Sequence, residues 1–382
     1  MEKCKLGDIC EIVSGSTPKT TIEEYWDGDV KWITPAELNE NVYIINDSVR
    51  KITKLAVEKT GLSSFPEGTV ILSTRAPIGK VAIAGCEMYC NQGFKNLICS
   101  EKIFNKYLYW FLKGNTMFLN SLGRGATFKE ISKAIVSEIE INVPEIEEQH
   151  EIVKILEKVN TIIRFRKQEL SVLDTLVKAR FVEMFENKTE YDQFRLEEIA
   201  DIVSGITKGR KTKCGELREV PYMAVSNVKD GYIDWTTVKT ILATEDEIIQ
   251  YKLLPDDVLM TEGGDPDKLG RGAIISLPPK DCIHQNHIFR VRLDETRILP
   301  RYFSAYLQSP QAKTYFLRAA KQTTGIASIN MRQLRGLPTI VPPIEQQLKY
   351  VSFSEQVDKS KVINQLLQKW NYMCHVTIEK VK

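Results

Sequence analysis

Basic and hydroxyl side chains are concentrated in two short segments of the sequence, SGSTPKT at Ser14–Thr20 and SGITKGRKTK at Ser204–Lys213. Their Ser, Gly, Thr and Pro content predicts loops. Backbone N–H groups and hydroxyls in such loops, with Lys or Arg beside them, can hold phosphate oxygens. A solvated surface turn is the simpler explanation of either loop taken alone, so the surrounding pattern has to decide.

The first half of the chain places further polar side chains beside predicted strands. TVILS (Thr69–Ser73) and KVAIAG (Lys80–Gly85) are short and rich in β-branched residues, which predicts strands joined by the link RAPIGK. Arg beside a strand end can pair with guanine, and a Gln amide can pair with adenine or cap a turn. The binding candidates here are Ser16, Thr17, Lys19, Arg75, Lys80, Gln92, Lys95, Arg124 and Thr127.

The second half offers similar strands with different loops. DVLMT (Asp257–Thr261) and GAIIS (Gly272–Ser276) are joined by EGGDPDKLGR, and Gln285 is predicted to correspond to Gln92. Two domains that share a scaffold and recognise different targets would show this pattern. The candidates here are Lys208, Arg210, Lys211, Lys213, Lys268, Arg271, Gln285, Asn286, Thr323 and Asn330.

Two pairs of sequence words show that the chain is an internal duplication. EIVSGSTPKT begins at Glu11 and DIVSGITKGR at Asp201, while VPEIEEQ begins at Val143 and VPPIEQQ at Val341. Both pairs keep their order and are separated by about 190 to 200 residues. That period is too long for a solenoid and fits a domain followed by a connector.

The two connectors are predicted to be long helices. From Ile146 to Glu186 there is no Pro or Gly, and apolar residues recur with the 3.5-residue period of a coiled coil. About 40 residues give a rod of roughly 60 Å. The second connector begins at Ile344 and is less regular. Neither helix can bury its seam alone, so we expect them to pair antiparallel.

These elements predict an α+β fold with two similar globular domains separated by two long antiparallel coiled-coil helices in a pseudo-twofold arrangement. The predicted segments are domain 1 at 1–145, the central helix at 146–187, domain 2 at 188–342 and the C-terminal helix at 343–382. The aromatic segments NKYLYWFLK and PRYFSAYLQS are interpreted as core helices rather than ligand platforms.

Composition restricts the class of protein without naming it. The chain has 382 residues with 43% apolar and 27% charged residues, and its net charge of +2 does not by itself argue for nucleic acid. Neither a membrane span nor a secretory signal is predicted, so we expect a cytoplasmic protein with reduced cysteines. Cys86 with Cys90, and Cys282 with His284 and His287, lack the second pair that a zinc site requires.

In their order, duplication and spacing these words resemble the specificity subunit of type I restriction-modification systems, over essentially the whole chain. The resemblance implies two target-recognition domains that each bind half of a bipartite, asymmetric double-stranded DNA target. It also implies two methyltransferase subunits bound by the helices, together with motor-nuclease subunits. S-adenosylmethionine and ATP would bind those partners, which would methylate adenine or cleave the DNA.

The residues agree that this chain is not itself a catalyst. It contains neither the [DN]PP[YF] motif of amino-methyltransferases nor a GxxxxGK[ST] loop for ATP. Three alternatives remain. A tandem-repeat scaffold for proteins would carry acidic or apolar loops, a standalone repressor-like protein would use its helices as a dimer seam between chains, and an enzyme would require catalytic residues of an unrecognised kind.

Overall fold

The computed structural model describes residues 2–39, 42–125, 129–186, 188, 190–210, 216–264, 269–323 and 326–361. The chain divides into two compact units, Met1–Arg164 and Phe165–Lys382, called unit 1 and unit 2 below. Each unit is mixed α and β, and each carries the same sequence words at the same places in its fold.

Unit 1 is built on a five-stranded sheet. Its strands are β1 (Glu2–Lys5), β2 (Cys10–Ser14), β3 (Trp26–Ile33), β4 (Ile44–Ile45), β5 (Lys51–Ile52), β6 (Val70–Ser73), β7 (Val81–Ala84), β8 (Tyr89–Cys90), β9 (Phe94–Cys99) and β10 (Glu140–Val143). The main sheet has the order β2-β9-β6-β7-β4, in which β4 is parallel to β7 and the other pairs are antiparallel. A smaller sheet has the order β5-β3-β8, and β1 pairs with β10.

The helices of unit 1 cover this sheet. They are α1 (Leu6–Ile9), α2 (Lys54–Thr60), α3 (Asn105–Gly114), α4 (Thr116–Leu122), α5 (Lys133–Ser137) and the first part of α6 (Ile146–Phe185). Helix α3 is the first aromatic segment of the sequence. Its Leu108, Tyr109 and Leu112 are buried against sheet residues such as Leu72 and Leu97, which confirms the core interpretation.

Unit 2 repeats the plan. Its strands are β11 (Asp192–Arg195), β12 (Ala200–Ser204), β13 (Arg218–Met223), β14 (Lys239–Ala243), β15 (Val258–Thr261), β16 (Gly263–Gly264), β17 (Gly272–Ile274), β18 (Ile283–His284), β19 (Ile288–Leu293), β20 (Lys321–Thr323), β21 (Ile326–Ser328) and β22 (Pro338–Val341). The sheets have the orders β12-β19-β15-β17, β14-β13-β18 and β16-β21-β20, and β11 pairs with β22.

The helices of unit 2 include the second aromatic segment. They are α7 (Glu245–Tyr251), α8 (Pro300–Leu307), α9 (Pro310–Ala319), α10 (Met331–Arg335), the last part of α6 and the helical residues 344–361. Tyr302, Phe303 and Tyr306 of α8 are buried in the largest core cluster. This confirms the core interpretation for the second segment as well.

The glycine of the repeated word IVSG is required for the same structural reason in both units. A Cβ added at Gly15 would lie 1.9 Å from the Asn91 carbonyl oxygen, and one added at Gly205 would lie 1.9 Å from the His284 carbonyl oxygen. The loop therefore approaches the neighbouring backbone too closely for any side chain. This contact fixes where each loop leaves the sheet.

The glutamine that ends the second repeated word is a buried anchor for the helix that follows. Gln149 accepts a hydrogen bond from Phe104 N–H at 2.8 Å and donates to the carbonyls of Lys102 and Pro144 at 2.9 Å each. Gln347 in unit 2 makes the matching three bonds to Leu299, Arg297 and Pro342 at 2.7–2.9 Å. Both side chains are fully buried, so each helix starts at a fixed place on its unit.

Helix α6 has 40 residues, and its last turns pack against residues 344–361 within unit 2. The Tyr350 ring lies 5.4 Å from Phe181 and 5.7 Å from Phe185, while Lys361 forms an ion pair with Asp174 at 2.8 Å. Tyr350 contacts the end of α6, whereas Lys361 contacts Asp174, which is earlier in that helix. The two segments therefore run antiparallel. The predicted seam residues beyond 361 lie outside the described residues.

Candidate nucleic-acid interface

Three of the predicted binding residues of unit 1 line one cavity of about 380 Å³. Arg75 and Lys80 come from the loop between β6 and β7, and Gln92 comes from the loop between β8 and β9. The Lys80 ammonium donates to the Pro35 carbonyl at 3.0 Å, and Gln92 is exposed. Loops that are separate in sequence therefore present basic and amide groups on one concave surface.

The Ser16–Lys19 segment is held beside this cavity by two tryptophans. The Trp32 indole N–H donates to the Ser16 carbonyl at 3.0 Å, and the Trp26 indole N–H donates to the Lys19 carbonyl at 3.3 Å. The Thr17 hydroxyl donates to the Gln92 side-chain carbonyl. The carbonyls point toward the protein while the Ser16 and Lys19 side chains are exposed, which suits contact with phosphate.

Glu130 contacts three of the predicted basic residues, one of which is Arg75 of the cavity. Its carboxylate lies 2.9 Å from Arg75 Nε and 3.8 Å from Lys95 Nζ, and its backbone pairs with that of Arg124. Arg75 keeps 43% of its side chain exposed, whereas the Lys95 side chain is 9% exposed. Arg124 is exposed.

The expectation that Lys95 lies on a loop is wrong. Lys95 belongs to strand β9 and is buried, and this burial lowers the pKa of its ammonium while Glu130 partly offsets the effect. In the segment FKNLI apolar and polar residues do not alternate regularly, so the sequence does not show which side chains face inward. A phosphate contact by this side chain would require it to leave its buried position.

Sequence reasoning missed Arg50, which lies on the tryptophans that hold the Ser16–Lys19 segment. Its guanidinium carbon is 4.0 Å from the Trp26 ring centre and 5.8 Å from that of Trp32, and the residue is exposed. An Arg stacked on an aromatic face retains its hydrogen-bonding edge for a ligand. Nothing in the local sequence indicates this, because Arg50 is more than 30 residues from the loop it reaches.

Hydrogen bonds of the two loops establish which residues of the units correspond. Ser16 N–H donates to the Cys90 carbonyl at 2.9 Å, and Ile206 N–H donates to the His284 carbonyl at 3.0 Å. Since Cys90 and His284 are equivalent, the residues that follow them pair as Asn91 with Gln285 and Gln92 with Asn286. The predicted correspondence of Gln92 with Gln285 is therefore wrong by one residue.

In unit 2 the amide residues form the corresponding surface. The Gln285 side-chain carbonyl accepts from Val225 N–H at 3.2 Å, and Asn286 Nδ2 lies 3.3 Å from His287 Nε2. Lys208 is exposed on its loop, and Arg271 is half-buried. The Arg271 Nε is buried without a hydrogen-bond partner among the described residues.

Two predicted binding residues of unit 2 have structural partners instead. Arg210 forms a forked ion pair with Glu247, with Nε at 2.7 Å and Nη2 at 2.5 Å from its oxygens, and the Arg210 side chain is only 18% exposed. Hydrogen bonding to Arg210 lowers the pKa of the Glu247 carboxyl. Asn330 caps helix α10, because its side chain accepts from Gln333 N–H at 3.0 Å. Both side chains therefore have partners within the protein, and their contact with DNA stays a prediction.

Some predicted residues cannot be placed. Thr127, Lys211, Lys213 and Lys268 lie outside the described residues, as does the side chain of Thr323, whose backbone belongs to β20.

The residues of the second cysteine and histidine cluster lie in different surroundings. His284 is fully buried with Nδ1 3.1 Å from the Ile288 carbonyl, and burial lowers its pKa to about 4. His287 pairs with Glu262 at 2.5 Å, and Cys282 is a buried free thiol. Within the described residues no three metal-ligating side chains converge. Among the same residues no helix is both long and apolar enough to span a membrane.

Comparison with known proteins supplies the family. The type I restriction modification DNA specificity domain matches twice, at residues 1–175 and 188–369. The specificity subunit of the type I restriction enzyme MjaIX of Methanocaldococcus jannaschii is 38% identical over 224 residues, which cover 56% of this chain and 51% of that protein. The match therefore spans about half the length of this relative. The EcoKI specificity subunit of Escherichia coli is 25% identical over 321 residues, covering 76% of this chain and 68% of that protein.

Solved structures share the fold along the whole chain. A chain from a study of assembly and conformational transition of a type I R-M system has a TM-score of 0.61 at 16% identity, covering 100% of this chain and 95% of that one. The S subunit of a type I restriction-modification system from M. genitalium has a TM-score of 0.54 at 14% identity, covering 98% and 94%. The predicted α+β class with two similar domains and long helical connectors is confirmed. By the family match over nearly its full length, this chain belongs to the type I restriction modification DNA specificity family.

Proposed function

We propose that the chain is the DNA-recognition subunit of a type I restriction-modification complex and that it binds a bipartite, asymmetric double-stranded target. The observation that carries this proposal is one scaffold used twice with unlike side chains at equivalent loop positions. Arg75 of unit 1 lines the basic cavity, whereas its equivalent in unit 2 is Gly263, next to Glu262. Two halves of unlike chemistry would select two unlike half-sites.

The proposal assigns domain 1 to residues 1–145 and domain 2 to 188–342, with the helices at 146–187 and 343–382 as the spacer. The two half-sites are then centred on the order of one DNA turn apart, about 10 base pairs. The helices bind two methyltransferase subunits, and motor-nuclease subunits join them. Those partners bind S-adenosylmethionine and ATP and act on adenine or on the DNA backbone in the cytoplasm.

Within unit 1 the proposal separates phosphate contacts from base contacts. Exposed Ser16 and Lys19 would touch phosphates, since Lys is a point charge that fixes position without selecting sequence. Arg75 and Gln92 would reach base edges, because a guanidinium pairs with guanine and an amide with adenine in the major groove. In unit 2, Lys208 takes the phosphate role, and Gln285, Asn286 and Arg271 face the bases.

A pair of variants tests this division in the full chain bound to its methyltransferase partner. Lys19→Ala should weaken binding to all duplexes alike and reduce the dependence of log Kd on log salt by about one unit. Arg75→Ala should remove discrimination at one base position, by about 1–3 kcal/mol.

Lys102→Ala is the matched control for both variants. Gln92 precedes β9, and Lys102 follows the opposite end of that strand. The strand has six residues and is about 20 Å long, which separates the two side chains. The control should bind like the unmodified chain. The proposal fails if the unmodified complex binds all duplexes with one affinity, which is the outcome expected of a protein scaffold.

A further inference from the structure

Glu262 and His287 occupy the positions of Thr74 and Gly93 of unit 1. Thr74 N–H donates to the Gly93 carbonyl at 2.8 Å, and Glu262 N–H donates to the His287 carbonyl at 3.0 Å. The carbonyls of Thr74 and Glu262 accept from Ile131 and Ile329 at 2.9 and 2.8 Å. The backbone hydrogen bonds are therefore the same in both units. Glu262 has a carboxylate where Thr74 has a buried hydroxyl, and His287 has an imidazole where Gly93 has only a hydrogen atom.

A chain of hydrogen bonds orients the carboxylate. Asn286 Nδ2 lies 3.3 Å from His287 Nε2, and His287 Nδ1 lies 2.5 Å from Glu262 Oε2. An amide nitrogen donates, so Nε2 accepts from Asn286, and Nδ1 carries the hydrogen that His287 donates to Glu262. The Glu262 side chain is 35% exposed and that of His287 is 56% exposed. One carboxylate oxygen is occupied by His287, and the arrangement leaves the group accessible in a fixed orientation.

The cluster belongs to the proposed recognition surface. Asn286 N–H donates to the Ile206 carbonyl at 3.1 Å, so the loop that carries exposed Lys208 begins beside it. A carboxylate on a surface that approaches phosphates opposes binding unless it accepts a hydrogen bond from the ligand. A half-exposed carboxylate–imidazole pair also contributes little to folding stability. Neither DNA affinity nor folding stability explains the Glu262 carboxylate, whereas recognition of a hydrogen-bond donor on the DNA does.

We propose that Glu262 is a specificity-determining residue of unit 2, which accepts a hydrogen bond from the exocyclic amino group of a cytosine or adenine in the major groove. His287 is the positioning residue that holds the carboxylate. The inference rests on the proposed function and adds the chemistry of one position in one half-site. Carboxylates accept from cytosine N4, and adenine N6 offers the same donor. In unit 1 the equivalent Thr74 is buried and bonded to Gly93, so that half-site has no such requirement.

Selection of bound duplexes from a pool with randomised half-sites tests this proposal, using the full chain bound to its methyltransferase partner. Glu262→Gln preserves the size of the side chain, and because the hydrogen on His287 Nδ1 holds the amide oxygen, the amide NH2, which only donates, is left to face the base. We expect it to reduce the preference for one amino-bearing base in one half-site by 10- to 100-fold, on the order of one good base contact, with the other half-site unchanged. The base that loses its preference shows whether the donor is cytosine or adenine. His287→Gln should reduce the same preference by a smaller factor.

Glu295→Gln, at an exposed carboxylate of the same unit, is the matched control and should leave both half-sites unchanged. Thermal unfolding of each variant separates recognition from structure. A lower melting temperature with the base preferences intact would assign the pair a structural role and overturn the inference. An unmodified complex that selects two half-sites, together with an E262Q variant that selects the same two, would overturn it while the proposed function stands. An unmodified complex that selects no sequence would overturn both.

Discussion

Removing the buried amide of Gln347 should cost unit 2 a large part of its stability. Leu in its place has a similar volume but leaves the Leu299 N–H and the carbonyls of Arg297 and Pro342 without their partner. Each net hydrogen bond contributes about 1 kcal/mol, and each buried group left unsatisfied costs about 1–3 kcal/mol. Because three groups lose their partner, Gln347→Leu should lower the free energy of unfolding by at least about 3 kcal/mol.

Urea unfolding of the full chain, followed by circular dichroism, measures this loss. Gln149→Leu should lower the stability of unit 1 by a similar amount, because its amide makes the same three bonds. Lys349→Ala and Glu148→Ala change exposed neighbours on the same helices and should cost less than about 0.5 kcal/mol. A loss below about 1 kcal/mol for either glutamine variant would refute the view that these residues anchor the helices.

Three further predictions concern unit 2 and its equivalent in unit 1. The pKa of His284 is lowered to about 4 from 6.5, so the fold favours the neutral imidazole; this stability is fully present above pH 6.5 and is lost as pH falls toward 4. Between pH 7 and 5 the loss should be about 2 kcal/mol by urea titration, and a His284→Phe variant should lack that part of the slope. Gly205→Ala and Gly15→Ala should each displace the loop and abolish selective DNA binding, since their Cβ atoms would lie 1.9 Å from a carbonyl oxygen; unchanged binding would contradict this. Arg210→Ala should cost about 1–3 kcal/mol in unfolding free energy because Glu247 loses its forked partner, yet leave the salt dependence of DNA binding unchanged; a reduced salt slope would instead indicate a phosphate contact.

The duplication was predictable from the sequence because its signals are residues with strict structural roles. Gly15 and Gly205 permit a close backbone approach, and Gln149 and Gln347 fill identical buried sites, so both words persist in both copies. Strand and helix segments followed from their apolar patterns. These features depend on local geometry, which short sequence words record.

The detail of the candidate site was less predictable because it depends on register and on distant contacts. Gln92 was predicted to correspond to Gln285, but the backbone hydrogen bonds pair it with Asn286. Aligning the identical letters of CNQG and IHQN does not show which backbone groups are equivalent. Arg50 reaches its tryptophans only through the fold. Asn330 did carry a usable signal, because Asn followed by Gln three residues later is a capping-box pattern.

The central claim is that this chain directs a complex to one asymmetric DNA target. Sequencing of methylated adenines in DNA from cells that express the chain with its methyltransferase partner tests that claim most directly. We expect one new methylated motif made of two unlike half-sites with a fixed gap, absent from cells without this chain. A methylation pattern that is the same with and without the chain would contradict it, and so would a new motif that is a single uninterrupted palindrome.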